Sequence, residues 1–377
     1  MTGQEGANAA QRLWTASRSA ERLLSGSRPV TPAERLADLA ASPHAERELA
    51  DVYGNGIVAT LEHRIAELLG KPAALWFPTG TMAQQAILRV WTARAGSPRV
   101  AVHPLHHTQI HEDGAMTELS GLEPVILTSE PRQPTADDLR DAPGELGAAV
   151  VELPLQELGY VLPTWDELTG FAAAAGDREV ALHFDGARIW ESALHYGRSP
   201  LEIAALASSV YVSMYKGVGG ISGALVAADS EVIQEARLWR SRFGGNVFQQ
   251  YPTIVAALDG LDRNLGRMAT WHQHAATIAD GLHVLPELRV TPYPPHISEF
   301  FVYSTVPADA LNRAVLDHLE ATGERWLHGW WTDDAGSSVS EATIRDGSLQ
   351  WTSDDVARVG RAVLDNAGST GSEPPTY

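Results

Sequence analysis

Seven short apolar segments constrain this chain more than any other feature. They cover residues 73–77, 99–103, 124–128, 148–154, 180–185, 209–214 and 223–228, and helical patterns lie between several of them, as over 81–95 and 164–176. Strands that alternate with helices in this way predict an α/β layer fold, a mostly parallel seven-stranded sheet with helices on both faces. Past residue 250 the pattern becomes one long helical stretch, 253–285, which leads into a smaller α+β unit. The expected organisation is a flexible N-terminal arm over 1–24, a large domain over 25–265, a small C-terminal α+β domain over 266–365 and a disordered Gly, Ser and Pro-rich tail over 366–377.

The 377 residues include 28 Lys and Arg against 47 Asp and Glu, 28 − 47 = −19 at neutral pH. Such a charge repels phosphate backbones and anionic lipid, so neither nucleic acid nor membrane is an expected partner. No run of 18 apolar residues occurs and the N-terminus has no apolar leader core, which makes the cytoplasm the expected location. Cysteine is absent, and with it disulfides, thiolate nucleophiles and Cys-ligated metals. Lysine is nearly absent as well: Lys71 and Lys216 stand alone among arginines. An arginine-favouring genome accounts for the surface but leaves Lys216 to be explained. A lysine amine, unlike a guanidinium, loses its proton and attacks carbonyls.

Lys216 follows the predicted strand 209–214 and precedes Gly217, Gly219, Gly220 and a returning strand. Neither this spacing nor the strand that follows suits a dinucleotide-binding glycine loop. Small residues beside an amine instead leave room for a flat ligand. Asp185 ends another predicted strand, ahead of Gly186 and Arg188. Alone it reads as a turn residue or helix cap. About 30 residues before the lysine, at the carboxyl end of a strand, it meets a chemical need: pyridoxal phosphate requires a carboxylate to hold its ring nitrogen protonated. Thr79, Gly80 and Thr81 open a helix, where free backbone N–H groups suit a phosphate or form an ordinary N-cap. His103, His106, His107 and His111 cluster over 103–114. The i, i+4 pair His107 and His111 would suit zinc, but no third ligand stands at a diagnostic spacing, so stacking of one imidazole on a pyridine ring is preferred and no metal is expected. His103 and His106 read as structural.

In the order TGTMA, HH-x4-E, HFDGAR and YKGVGG, these motifs resemble the low-specificity threonine aldolase and β-eliminating lyase branch of the fold-type I pyridoxal-phosphate enzymes, over about residues 25–360. DVYGNG (51–56) and LEHRIAELLGKPAALWFPTGTMA add to the likeness. The resemblance implies a fold-type I transferase-like fold and pyridoxal 5'-phosphate as cofactor. It makes Lys216 the lysine that carries the cofactor, Asp185 the partner of the ring nitrogen and His107 the stacked histidine. Gly80 and Thr81 become the phosphate cup, and Ser213 an aid to the lysine. Arg188 and Arg345 would hold the substrate carboxylate, assisted by Ser25. The family builds dimers paired into tetramers with shared active sites, so a homo-oligomer is expected, with Tyr53 reaching a neighbour's cofactor.

The sequence also departs from the family pattern. Asn55, Gly56 and Ile57 replace an acidic residue, Asp and Pro. Glu152, Leu153, Pro154 and Leu155 stand where Glu-Asn-Thr-His is usual, which removes a second histidine. Phe248 stands where arginine is common, with Arg240 or Arg242 available to compensate. The expected reaction is reversible cleavage of a β-hydroxy-α-amino acid to glycine and an aldehyde, with His107, His111 or a water as base. Leu153, Pro154, Leu155 and Phe248 suggest an apolar pocket that favours bulkier or aromatic side chains over threonine. β-Elimination and transaldol transfer share the first steps, and a catalytically silent binding protein on the same fold is a further alternative.

Overall fold

A computed structural model describes residues 3–369. The chain divides into two compact units: Leu36–Met268, and a second formed by the two ends of the chain, up to Arg35 and from Ala269 onward.

The first unit is built on a seven-stranded sheet whose strands are the seven apolar segments: β1 (Ala73–Phe77), β2 (Arg99–Val102), β3 (Glu123–Ile126), β4 (Ala148–Glu152), β5 (Ala181–Asp185), β6 (Ser209–Ser213) and β7 (Ala224–Ala228). Their spatial order is β1-β7-β6-β5-β4-β2-β3. β7 alone runs opposite to the other six strands. Every residue of β4, β6 and β7 is buried, which explains why they read as continuous apolar runs rather than as alternating ones. The helix Gly80–Ala95 starts just past β1, where the Thr79 hydroxyl caps it by accepting from Met82 N–H, and Gly96 ends it in the left-handed conformation. It lays Ala83, Gln84, Ile87 and Leu88 against the sheet. Among the buried residues of this helix Gln84 and its neighbour Gln85 are polar, and both turn out to hold carboxylates of the site.

The second unit holds a four-stranded antiparallel sheet of β8 (Leu288–Thr291), β9 (Glu299–Ser304), β10 (Trp331–Thr332) and β11 (Ser338–Thr343), in the order β10-β11-β9-β8. Residues expected to form a flexible arm are instead the helix Gly3–Ser19 and a short strand, Arg22–Leu23, paired with Glu324–Arg325. The reason is a narrow apolar stripe hidden in a small, polar composition: Leu13 and Ala16 pack on Ala20, Leu23 and Leu319, while Arg12 reaches Glu320 at 2.6 Å. The arm therefore belongs to this unit, whose N-terminal portion extends to Arg35 rather than 24. Of the expected tail, the first residues continue the helix Ser353–Ser369, and 370–377 lie outside the described residues. Among the described residues no helix is long and apolar enough to cross a membrane.

Candidate active site

The parallel strands of the first unit deliver their carboxyl ends to one edge of the sheet, where ligands of open α/β folds collect. β5 ends in Asp185, β4 in Glu152, β6 leads to Lys216, β1 to Thr79 and Gly80, and β2 to the histidine cluster. A cavity of about 270 Å³ opens there. Thr79, Gly80, Thr81, His107, Asp185 and Lys216 line it. Gln84, Glu112, Tyr211, Tyr215 and Ser222 line it too, although the sequence reading gives none of them a role.

Asp185 is buried at the floor. One carboxylate oxygen, Oδ2, accepts from Gln84 Nε2 at 2.6 Å, and Oδ1 accepts from the Ala187 N–H at 3.1 Å. Each oxygen keeps capacity for a further donor. His106 Nε2 lies 3.8 Å from Asp185 Oδ2 and 4.0 Å from Glu152 Oε2. Burial pushes the His106 imidazole down to about 4, so it is neutral near neutral pH. Its Nδ1 accepts from Thr108 N–H at 3.1 Å, which places the proton on Nε2, toward the two acids. Glu152 sits beside Asp185 in the strand register and accepts from His107 N–H at 3.0 Å and Gln156 N–H at 3.2 Å. Burial, and then the neighbouring Asp185 charge, hold the Glu152 carboxyl above its ordinary range.

His107 reaches Glu112 Oε1 with Nδ1 at 3.5 Å, and Glu112 is held in turn by Gln85 Nε2 at 2.9 Å. The Glu112 carboxylate raises the His107 pKa against the opposing effect of burial. His111 is exposed and turned away to Glu157 Oε1 at 2.7 Å; it does not line the cavity, although its ring centroid is 5.1 Å from that of His107. Gly80 has to be a glycine, because a Cβ there would stand 2.4 Å from the Tyr211 hydroxyl. Gly217 is equally restricted: a Cβ would meet the buried Glu191 carboxylate at 1.7 Å, so the loop after Lys216 sits directly on that side chain.

Residues 41–304 match the beta-eliminating lyase family. The chain belongs to that family. It is 29% identical to a probable low-specificity L-threonine aldolase of Arabidopsis thaliana, over 69% of this chain and 75% of the relative. With the low specificity L-threonine aldolase of Escherichia coli (strain K12) it shares 30% identity over 62% of this chain and 71% of the relative. A crystal structure from Listeria monocytogenes, of a protein provisionally named an L-allo-threonine aldolase, superposes with a TM-score of 0.87 at 32% identity, covering 95% of this chain and 99% of that one.

As a beta-eliminating lyase the protein is a pyridoxal-phosphate-dependent enzyme of fold type I. The residues present fit that cofactor. The cavity wall supplies a lysine amine, a buried carboxylate with unused acceptor capacity, an imidazole, and a helix start that Gly80 leaves open.

Other expected site residues lie elsewhere. Ser213 is buried at the end of β6 and does not line the cavity. Arg188 opens the helix Ile189–Tyr196, its guanidinium 4.5 Å over the Tyr160 ring and 3.3 Å from Gln156 Oε1, also outside the cavity lining. Tyr53 is exposed at φ 52° and meets Phe248 edge-on, centroids 5.3 Å apart. Arg240 is buried on the Trp76 carbonyl at 2.9 Å, with Glu62 at 3.8 Å, and Arg242 lies over the Trp239 ring. Neither lines the cavity, because their helix turns them to the core and to solvent. Leu153 and Leu155 are fully buried and Phe248 is on the surface, so the supposed apolar wall does not line this cavity either.

Ser25 and Arg345 belong to the second unit. The Ser25 hydroxyl accepts from Thr343 N–H at 2.9 Å. Arg345 pairs with the buried Glu299 and lies 4.8 Å over the Trp271 ring. Their assignment as carboxylate binders rests on the resemblance alone. Two of the lining residues without a role in the sequence reading carried a usable signal: Gln84, with Gln85 beside it, interrupts the apolar face of the helix that begins at Gly80, and Glu112 follows His107 within the same motif.

Proposed function

We propose that this enzyme cleaves β-hydroxy-α-amino acids, reversibly, to glycine and an aldehyde. The observation that carries the proposal is the meeting of Lys216, Asp185 and His107 on one cavity at the carboxyl ends of the parallel strands. The similarity to low-specificity L-threonine aldolases supports it. When bound, pyridoxal phosphate supplies an electron sink for the charge left on Cα as the Cα–Cβ bond breaks. Lys216 anchors the cofactor, and its amine then returns a proton to Cα of glycine. Asp185 keeps the proton on the ring nitrogen, while His107 covers the ring. Gly80 and Thr81 give backbone and hydroxyl donors to the phosphate at the helix start. By the family resemblance alone, Arg188, which packs on Tyr160 outside the cavity lining, is the residue assigned to the substrate carboxylate, and Ser213 steadies the segment that ends in Lys216.

His107 rather than His111 is the base that takes the β-hydroxyl proton, since of the two only His107 lines the cavity, where the Glu112 carboxylate stabilises the imidazolium that forms. A preference for larger or aromatic side chains rests not on an apolar wall, which this cavity lacks, but on the missing second histidine of the family pattern: threonine gives a poorly stabilised alkoxide, whereas an aryl aldehyde is a conjugated product. Copies of the chain pair through exposed apolar side chains that include Tyr53 and Phe248, which meet edge-on at the surface. The test is glycine release from phenylserine, threonine and allo-threonine with one preparation. Release from at least one of them is expected, and phenylserine should give the largest kcat/KM. No release from any would refute the reaction, and an equal or better threonine would refute only the preference.

A further inference from the structure

The floor of the cavity continues inward as a chain of buried polar groups. Gln84 and Trp91 lie two turns apart on the helix Gly80–Ala95, and His183 and Ser209 are register partners on β5 and β6. Trp91 Nε1 is 2.8 Å from Ser209 Oγ, Ser209 Oγ is 2.8 Å from His183 Nδ1, His183 Nε2 is 3.0 Å from Gln84 Oε1, and Gln84 Nε2 is 2.6 Å from Asp185 Oδ2. The chemistry of the groups dictates every proton. A carboxylate only accepts, so the Gln84 amide must present its NH2 to Asp185 and its oxygen to His183. His183 must then donate from Nε2, which leaves Nδ1 to accept from the Ser209 hydroxyl, and that hydroxyl accepts from the indole. Every donor points toward Asp185. Burial pushes His183 down to about 3, which keeps the imidazole in the neutral form this order requires.

We propose that Trp91, Ser209, His183 and Gln84 form a one-directional hydrogen-bond relay whose role is to fix the orientation and acceptor strength of Asp185 toward the cofactor's ring nitrogen, all four acting as positioning residues. This rests on Asp185 being the partner of that nitrogen. Bonds in such a chain polarise one another, so its distant end is felt at the carboxylate. The other titratable groups that act on Asp185 are His106, His107, Glu152 and Tyr211, and the variants below leave all of them in place.

The experiment compares the holoenzymes of Gln84→Met, Ser209→Ala and Trp91→Phe with wild type and Asp185→Asn. It reads the pH midpoint of the bound cofactor's visible absorbance and the dissociation constant of pyridoxal phosphate, with kcat and KM alongside. Gln84→Met should weaken cofactor binding about tenfold and move the midpoint in the same direction as Asp185→Asn. Ser209→Ala and Trp91→Phe should give smaller shifts of that sign, with kcat lowered and KM held. Should Gln84→Met fail to fold, the two conservative variants carry the test. If Asp185→Asn moves the midpoint and none of the relay variants does, the relay is wrong and the role of Asp185 stands. If Asp185→Asn also leaves it unmoved, the role of Asp185 falls and the relay with it.

Discussion

Replacing Asp185 by Asn keeps the shape of the side chain and removes its charge, and the surroundings allow the cost to be worked out. Both present partners are donors: Gln84 Nε2 at 2.6 Å on one oxygen and the Ala187 N–H at 3.1 Å on the other. The new amide nitrogen must face one of them, and a buried donor left without an acceptor costs about 1–3 kcal/mol. Against that, Glu152 loses a like charge from the adjacent strand position, which offsets part of the loss. The net change in stability should stay below about 2 kcal/mol. For a unit of about 230 residues that bounds the fall in Tm at roughly 4–8 °C. Catalysis has no such compensation. A preorganised charge aimed at the electron sink contributes on the order of 10² or more in rate, about 2.7 kcal/mol. Scanning calorimetry, cofactor absorbance and single-turnover cleavage of phenylserine separate these effects. Turnover within about threefold of wild type, at full cofactor occupancy, would refute the assignment of Asp185 to the ring nitrogen.

Borohydride reduction followed by peptide mapping should place the cofactor on Lys216 and leave Lys71 unlabelled, since Lys71 is held by the Ala207 carbonyl at 2.6 Å; Lys216→Arg should be as inactive as Lys216→Ala, because guanidinium cannot replace the amine. Activity that depends on neutral His107 rises as pH climbs through its raised pKa, so Glu112→Gln, by removing the carboxylate that raises it, should move the acid limb of kcat/KM to lower pH. An acid limb that stays put would exclude His107 as the titrating base. The native state binds the Glu152 proton more tightly than the unfolded chain does, so this group's contribution to stability is complete below the unfolded value of 4.5 and is lost as pH rises through the folded pKa. Glu152→Gln should therefore flatten the decline of Tm between acid and neutral pH, and an unaltered slope would count against the burial argument. Gly80→Ala forces the Tyr211 hydroxyl aside and should weaken pyridoxal phosphate by about tenfold in an absorbance titration.

Much of the sheet was legible in the sequence because β4, β6 and β7 are buried on both faces, so each is an unbroken apolar run with a recognisable end. The residues at those ends, Asp185, Lys216 and Gly80, were legible for the same reason. Side chains whose meaning depends on a second element were not. Gln84 looks like a neutral helix former until β5 brings His183 and Asp185 to its two ends. Arg240 and Phe248 looked like site residues because family patterns align positions along the chain, whereas their helix and loop direct one to the Trp76 carbonyl and the other outward. The N-terminal helix was missed because two apolar side chains suffice to seat it on a partner hundreds of residues away, and no local window contains that partner.

The strand order has a consequence for how the protein is made. β1 is the first strand of the seven-stranded sheet to be synthesised, yet its only neighbour there is β7, the last of the seven, with Ala73 opposite Ala228 and Phe77 opposite Ala224. Until residue 228 has been synthesised, β1 carries an unpaired apolar edge and nothing holds the Gly80 helix start against the lysine loop. Closure over so long a stretch of chain is slow, and the waiting edge is open to pairing with other chains. The cavity is thus completed by the last strand to arrive. Adding pyridoxal phosphate to a refolding reaction should then leave the early rates unchanged and raise the final yield, by capturing the site as soon as it closes.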